Sequence, residues 1–236
     1  MTRMNRFLHY QLRTTDVPAA QAFYSSILGE GVADIELLPK PALERGAPAH
    51  WLGHIGVEDV DQAVRAFVER GAMQLGPALP ARGGGKVAVF RDPGGAVVAL
   101  ASRAMAEASL PKPQVIWHQL HATNVSRTAA AYCELFGWHV AGQRDHGEHG
   151  LHQEFAWRAG DPCVGSAVDV AGRPGVHSHW LFHFQVPSLE VAVAKVRDAG
   201  GTVIGPTPLE NGDRVAMCED PQGAAFMLHE RSRAAS

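Results

Sequence analysis

Histidine is the residue type in which this chain is unusually rich: 13 of 236 residues, ten of them after residue 114. An imidazole can bind a metal ion or exchange a proton near neutral pH, so what matters is which histidines share a surface. Strand side chains alternate between faces, and where helices cover one face the apolar parity marks it. In the first half Tyr10, Leu12, Ile35, Leu37, Ile55, Val57, Val98 and Leu100 take the helix side. The opposite face then carries His9, Gln11, Arg13, Asp34, Glu36, Leu52, His54 and Ala99. In the second half Ile116, Leu120, Phe184, Val186, Phe226 and Leu228 take the helix side, leaving Trp117, Gln119, His121, His179, Leu181, His183, Gln185, Met227 and His229. Two polar, histidine-bearing faces predict ligand surfaces. His118 falls on the helix side, where a satisfied core histidine is expected. Arg13 could grip an anion or form a surface salt bridge. His146, His149 and His152 in DHGEHGLH read as a solvated loop.

These faces depend on elements that the chain spells out twice. Phe7–Val32 matches Val115–Val140, His50–Pro77 matches His179–Pro206, and Val87–Leu100 matches Val215–Leu228, in the same order. Such a pattern is a duplication. The offset grows by about 21 residues between the first two blocks, so the first half lacks that much chain between Val32 and His50. In each half a strand leads into a helix capped by Asp16 or Thr15, or by Asn124, and stopped by Gly29 or Gly137. A second strand leads into a second helix, over Val60–Arg70 in the first half, with Val60, Val64, Phe67 and Val68 on its apolar face. A hairpin turned at Asp92-Pro93-Gly94-Gly95, or Asp220-Pro221-Gln222-Gly223, closes each half. The expected domains are 1–102, with a truncated first unit, and 115–236, joined by a linker over 103–114 that contains Pro111 and Pro113.

Composition narrows the function. With 46% apolar residues the chain can bury a core, and a net charge of -3 with no single-sign run argues against nucleic acid or membrane as partner. Cys133, Cys163 and Cys218 are too scattered for a disulfide framework or structural zinc site. A cytoplasmic monomer or homodimer with a small-molecule ligand is expected. Trp51 and Trp180, in the repeated HW pair, read as structural residues at a sheet edge. ARGGGK, Ala81–Lys86, reads as the loop before a strand, because it lacks the GK[ST] ending of a phosphate loop.

HYQLRTTD followed by FYSSILG, then GHIGVEDVDQAV, GGTVIGP and DPQGAAFML, resemble the vicinal oxygen chelate superfamily, which includes glyoxalase I, extradiol dioxygenases and bleomycin-resistance proteins. WHQLHATN, CELFGW and PAHWLGHIGVEDVD are similar to its tandem, glyoxalase-related bacterial members. The resemblance implies an α+β fold of tandem βαβββ units, four in two halves, whose curved mixed sheets enclose a pocket with helices outside. It also implies a divalent metal (Fe, Mn, Ni or Zn) held by a His of the first strand, a His of the strand opening the second unit and a Glu of the last strand. His9 and His54 match the first two positions, and Ala99 stands at the third. In the second half the positions carry Trp117, His183 and Met227. Glu36 could supply a carboxylate to His9 and His54. The leading expectation is therefore a glyoxalase-related protein without the complete family metal site or a resident cofactor, acting by binding or by metal-independent chemistry, its ligand held by Trp117, Gln119, His121, His183, Gln185 and Met227, with Arg13 as a further contact. The alternatives are a metal-dependent lyase or isomerase, or a dioxygenase-like enzyme, using His9, His54 and Glu36, and sequestration of an antibiotic or toxin without turnover.

Overall fold

The computed structural model describes residues 5–31, 33–81, 84–102, 104–105, 113–145, 147 and 150–232. Most of the expected linker, together with His146 and His149, lies outside these residues.

The first repeat runs β1 (Phe7–Thr14), α1 (Val17–Leu28), β2 (Asp34–Leu37), α2 (Lys40–Glu44), β3 (His50–Val57), α3 (Val60–Glu69), β4 (Met73–Gln74), β5 (Leu79–Pro80), β6 (Lys86–Arg91) and β7 (Val97–Ser102). The second runs β8 (Val115–Ala122), α4 (Val125–Phe136), β9 (His139–Asp145), β10 (Leu151–Ala156), β11 (Gly165–Asp169), β12 (His179–Gln185), α5 (Leu189–Asp198), β13 (Thr202–Pro208), β14 (Arg214–Glu219) and β15 (Ala225–Glu230). One mixed sheet has the order β2-β1-β3-β7-β6-β4, with β5 on β6, and the other β13-β14-β15-β12-β8-β11-β10-β9. β2 lies parallel to β1 as β11 does to β8. The segment missing from the first repeat is therefore the counterpart of the β9–β10 hairpin.

The caps follow the sequence. Asp16 accepts the Ala19 amide at 3.0 Å, Asn124 that of Arg127 at 3.0 Å, and Asp59 and Ser188 cap α3 and α5 in the same way. Gly137 ends α4 with a φ of 72°, a conformation that a Cβ would strain. Two expectations fail. Val68 is 46% exposed and Ala63 takes its place on the buried face of α3, while Leu37 is 55% exposed at the end of the short edge strand β2.

The chain forms two compact units, and their boundaries fall inside β1, β3, β8 and β12. One comprises residues 1–9, 52–110 and 118–180, the other 10–51, 111–117 and 181–236, so each draws on both repeats. In the first unit the Trp180 Nε1–H donates to the Tyr132 hydroxyl at 3.2 Å, and that hydroxyl donates to Asp92 Oδ2 at 2.9 Å. The other Asp92 oxygen accepts the amides of Gly94 and Ala96, which fixes the hairpin turn. The second unit repeats the chain with Trp51 to Tyr24 at 3.1 Å and Tyr24 to Asp220 at 3.0 Å, and Asp220 holds the Gln222 and Ala224 amides. The tryptophan and tyrosine come from one repeat and the aspartate from the other. Trp51 and Trp180 are thus not edge residues: β3 and β12 have strands on both sides, and both indoles are buried.

Burial moves these groups away from their charged forms. Desolvation raises the Asp92 carboxyl to about 6 against the hydrogen bonds it accepts, and it raises Asp220 and both tyrosines as well. Between the ordinary carboxylate value and about 6, folded Asp92 keeps a proton that the unfolded chain has released. Its contribution is thus greatest at low pH and is lost as pH rises through that window. In urea titrations the stability of the protein relative to an Asp92→Asn variant should fall between pH 4 and pH 7 by up to about 3 kcal/mol. Tyr132→Phe, which leaves the Trp180 N–H and Asp92 without their shared partner, should cost about 1–3 kcal/mol.

Candidate functional site

The histidines divide between the two units. In the first unit β1 and β3 bring His9 and His54 together, ring centroids 5.4 Å apart and planes at 54°, with 1% and 2% of their surface exposed. The register of β3 on β7 sets His54 beside Ala99. Glu36 belongs to the second unit, where it pairs in register with Arg13 and accepts its guanidinium N–H at 2.8 Å. Arg13 is therefore in a salt bridge, the second of its two anticipated roles. Beside this pair Gln11 donates to buried Asp34 at 2.8 Å.

A divalent ion of the kind that the resemblance implies needs two imidazoles and at least one carboxylate. Among the described residues no three His, Cys, Asp or Glu side chains are grouped so as to hold one. The set His9, His54 and Glu36 is not brought together, because the β1–β2 register commits Glu36 to Arg13, and Ala99 offers no donor beside His54. The residues do not fit the metal.

The second repeat contributes two further clusters. In the first unit the Gln119 amide meets His121 Nε2 at 2.9 Å, and His121 and His179 stand 4.5 Å apart edge to face. Burial, then the nearby His179, His152 and Arg173, pushes His121 down to about 3. His179 is also lowered by burial, against the bond its Nδ1–H makes to the His177 carbonyl at 2.7 Å. His152 lies on β10 and reaches the Ser166 hydroxyl at 3.2 Å, so it is a buried strand residue and not part of a solvated loop. His118 is a core histidine: its Nδ1 pairs with the Val164 carbonyl at 2.8 Å, its ring stacks on Phe7, and burial pushes it down to about 4.

In the second unit, parallel pairing of β12 with β15 sets His183 beside Met227, the counterpart of His54 beside Ala99. Met227 packs with Leu181 and Val215, against which Leu209, Met217 and Ala225 also lie. The His183 Nδ1 is 3.3 Å from the His229 Nδ1, and the His229 Nε2 is 2.9 Å from Asp213 Oδ2. Trp117 and Gln185 belong to this same unit and are half-buried, whereas Gln119 and His121 belong to the other. Asp213 was not anticipated from the sequence: it lies just ahead of β14, whose register sets Val215 opposite His229. A surface groove of about 460 Å³, lined by Ala19, Ala22, Phe23, Ser26, Ala199, Pro221 and Gln222, contains none of these histidines.

A family model described as the Glyoxalase/Bleomycin resistance protein/Dioxygenase superfamily matches residues 116–228. CFP32 of Mycobacterium tuberculosis, which carries a glyoxylase name, is 31% identical over 244 residues, covering 92% of this chain and 91% of its own. DnrV of Streptomyces peucetius, named as an anthracycline biosynthesis protein, is 26% identical over 191 residues, 79% of this chain and 68% of its own. Among solved structures, the Mn(II)-bound glyoxalase from Novosphingobium aromaticivorans superposes with a TM-score of 0.66 at 13% identity, covering 98% of this chain and 83% of its own. The 2,3-dioxygenase LapB from Pseudomonas sp. KL28 gives 0.63 at 16% identity, covering 99% and 94%. The chain belongs to the glyoxalase/bleomycin resistance/dioxygenase superfamily and has its fold. Among the described residues no helix is long and apolar enough to cross a membrane.

A histidine whose folded value is depressed stays neutral in the fold and binds a proton on unfolding, so stability is lost as pH falls below about 6.5. Guanidinium titrations at pH 7 and pH 4 should therefore show a larger acid loss for the protein than for His121→Gln, by up to about 3 kcal/mol.

Proposed function

We propose that this protein binds a small organic molecule against the β12–β15 face of the second repeat, without the superfamily's complete metal-ligand set. The observation that carries the reading is the register of His183 on Met227. Where the family pattern implies an anionic ligand, an apolar thioether packs with buried Leu181 and Val215 beside the His183 imidazole. Such a surface buries the body of an organic ligand, and the imidazole orients one polar group of it. Half-buried Trp117 and Gln185, in the same unit, supply contact area and a further hydrogen-bonding group. Leu52, His54 and Ala99 are buried like their counterparts Leu181, His183 and Met227, whereas His9 is buried and its counterpart Trp117 is half-buried, which favours the second repeat as the binding half. A relative named for anthracycline biosynthesis is in keeping with an organic ligand.

Two substitutions test this. Trp117→Ala should weaken, by tenfold or so at about 1.4 kcal/mol, any ligand identified by thermal-shift screening, while Arg13→Ala should leave its affinity unchanged. Equal losses from both would move the site to the first repeat. Ala99→Glu should convert His9 and His54 into a two-histidine, one-carboxylate set that binds Mn(II) in calorimetry where the unaltered protein does not. Stoichiometric Mn(II) binding by the unaltered protein would support the lyase alternative instead.

A further inference from the structure

The surface groove of about 460 Å³ lies wholly in the second unit, between α1, the end of α5 and the Asp220 turn. The first unit has the same corner, and the duplication lets the two be compared residue by residue. Ala19 corresponds to Arg127, Ser26 to Glu134, Ala199 to Arg70 and Gln222 to Gly94. In the first unit the charged members of this set close the corner. Arg70 Nε donates to Glu134 Oε2 at 3.1 Å, and its Nη1 donates to the Ala66 carbonyl at 2.9 Å. The Arg127 guanidinium lies over Gly71, so close that a Cβ added there would collide with it. Two guanidinium groups therefore stand at the carboxyl end of α3, where backbone carbonyls favour positive charge.

In the second unit the same corner is open. Helix α5 again ends ahead of a glycine, Gly200, but alanine or serine stands at each of the three charged positions. A Cβ added at Gly200 would meet only Pro221 Cγ, at 3.8 Å. Two acceptors stand in the lining. Ser26 Oγ spends its hydrogen on the Phe23 carbonyl at 2.7 Å, which leaves it lone pairs. The Gln222 side-chain oxygen is covered and has no hydrogen-bond partner among the described residues, so turning it toward an occupant breaks no bond. Ala22, Phe23 and Pro221 make the rest of the wall apolar, and the exposed Lys195 and Arg197 of the last turn of α5 do not line it.

We propose that this groove binds a small organic guanidinium compound, which supplies from outside what Arg127 and Arg70 supply within the first unit. Its head lies at the carboxyl end of α5 and donates to Gln222 and Ser26, and its apolar body lies along Ala22, Phe23 and Pro221. A guanidinium suits such a wall because it is planar, weakly hydrated and carries several donors. The site is separate from the one beside His183. Phe23 packs on Phe226, ring centroids 6.1 Å apart, and Met227, the next residue along β15, points to the other face of the sheet.

The test titrates n-butylguanidinium, and n-butylurea as its neutral counterpart, into the full-length protein and follows ¹H–¹⁵N spectra. The expected result is saturable shifts at Ala19, Ala22, Gly200 and Gln222 with a Kd of about 1–10 mM for so small a probe, and weaker binding of the urea. Ala19→Arg, which restores the side chain of the counterpart helix, should abolish these shifts. Gln222→Ala, which removes a hydrogen bond to a charged group, should weaken binding by about tenfold. Should one variant fail to fold, the other decides. Shifts that do not saturate or that fall only on β12 and β15, equal affinity for the urea, or an affinity indifferent to both substitutions would overturn the proposal.

Discussion

Each compact unit depends on one buried hydrogen-bonded chain, an indole N–H to a tyrosine hydroxyl to an aspartate that holds a hairpin turn. A buried indole or phenol without a partner is costly, so the three groups must arrive together. Since tryptophan and tyrosine come from one repeat and aspartate from the other, neither repeat can satisfy these groups alone. The strand that opens the second βαβββ unit of each half is thereby fixed in rotation, and those strands, β3 and β12, are the ones that carry His54 and His183. The polar chain deep in the fold thus decides which face these two histidines occupy.

The duplication, the helix caps, the two DPxG hairpins and the shortened first unit were all legible in the chain, because each leaves a local mark: a periodicity, a capping side chain, a proline–glycine turn, a change of offset. Partnerships were not legible. Tyr24 and Tyr132 look like ordinary members of an apolar stripe, and Asp92 and Asp220 like ordinary turn formers, until the fold brings residues nearly 200 positions apart within 3.0 Å, as for Tyr24 and Asp220. The candidate site divides in the same way. Strand parity put His9, His54, His183 and Met227 on the open faces, and the register sets His54 beside Ala99 and His183 beside Met227. Parity could not show that Arg13 would take Glu36, nor that His9 would be buried while its counterpart Trp117 stays half-buried. It also could not show that Gln119 and His121 would belong to a different unit from His183.

The two repeats have diverged around a shared frame. In the first, a pair of imidazoles is buried with an alanine at the carboxylate position. In the second, a methionine at that position extends an apolar surface, and a histidine two residues further on links the strand to an aspartate. With Ala99 and Met227 at the positions where the family resemblance implies a carboxylate, the second repeat keeps the His183 imidazole beside the buried side chains of Leu181, Val215 and Met227.

The claim on which this account stands is that neither half holds a metal. Elemental analysis of protein expressed without a histidine tag and purified without a metal-affinity column tests it most directly. Manganese, iron, nickel and zinc together should fall well below one equivalent per chain. One equivalent of any of them, lost on His54→Ala or His9→Ala, would contradict it.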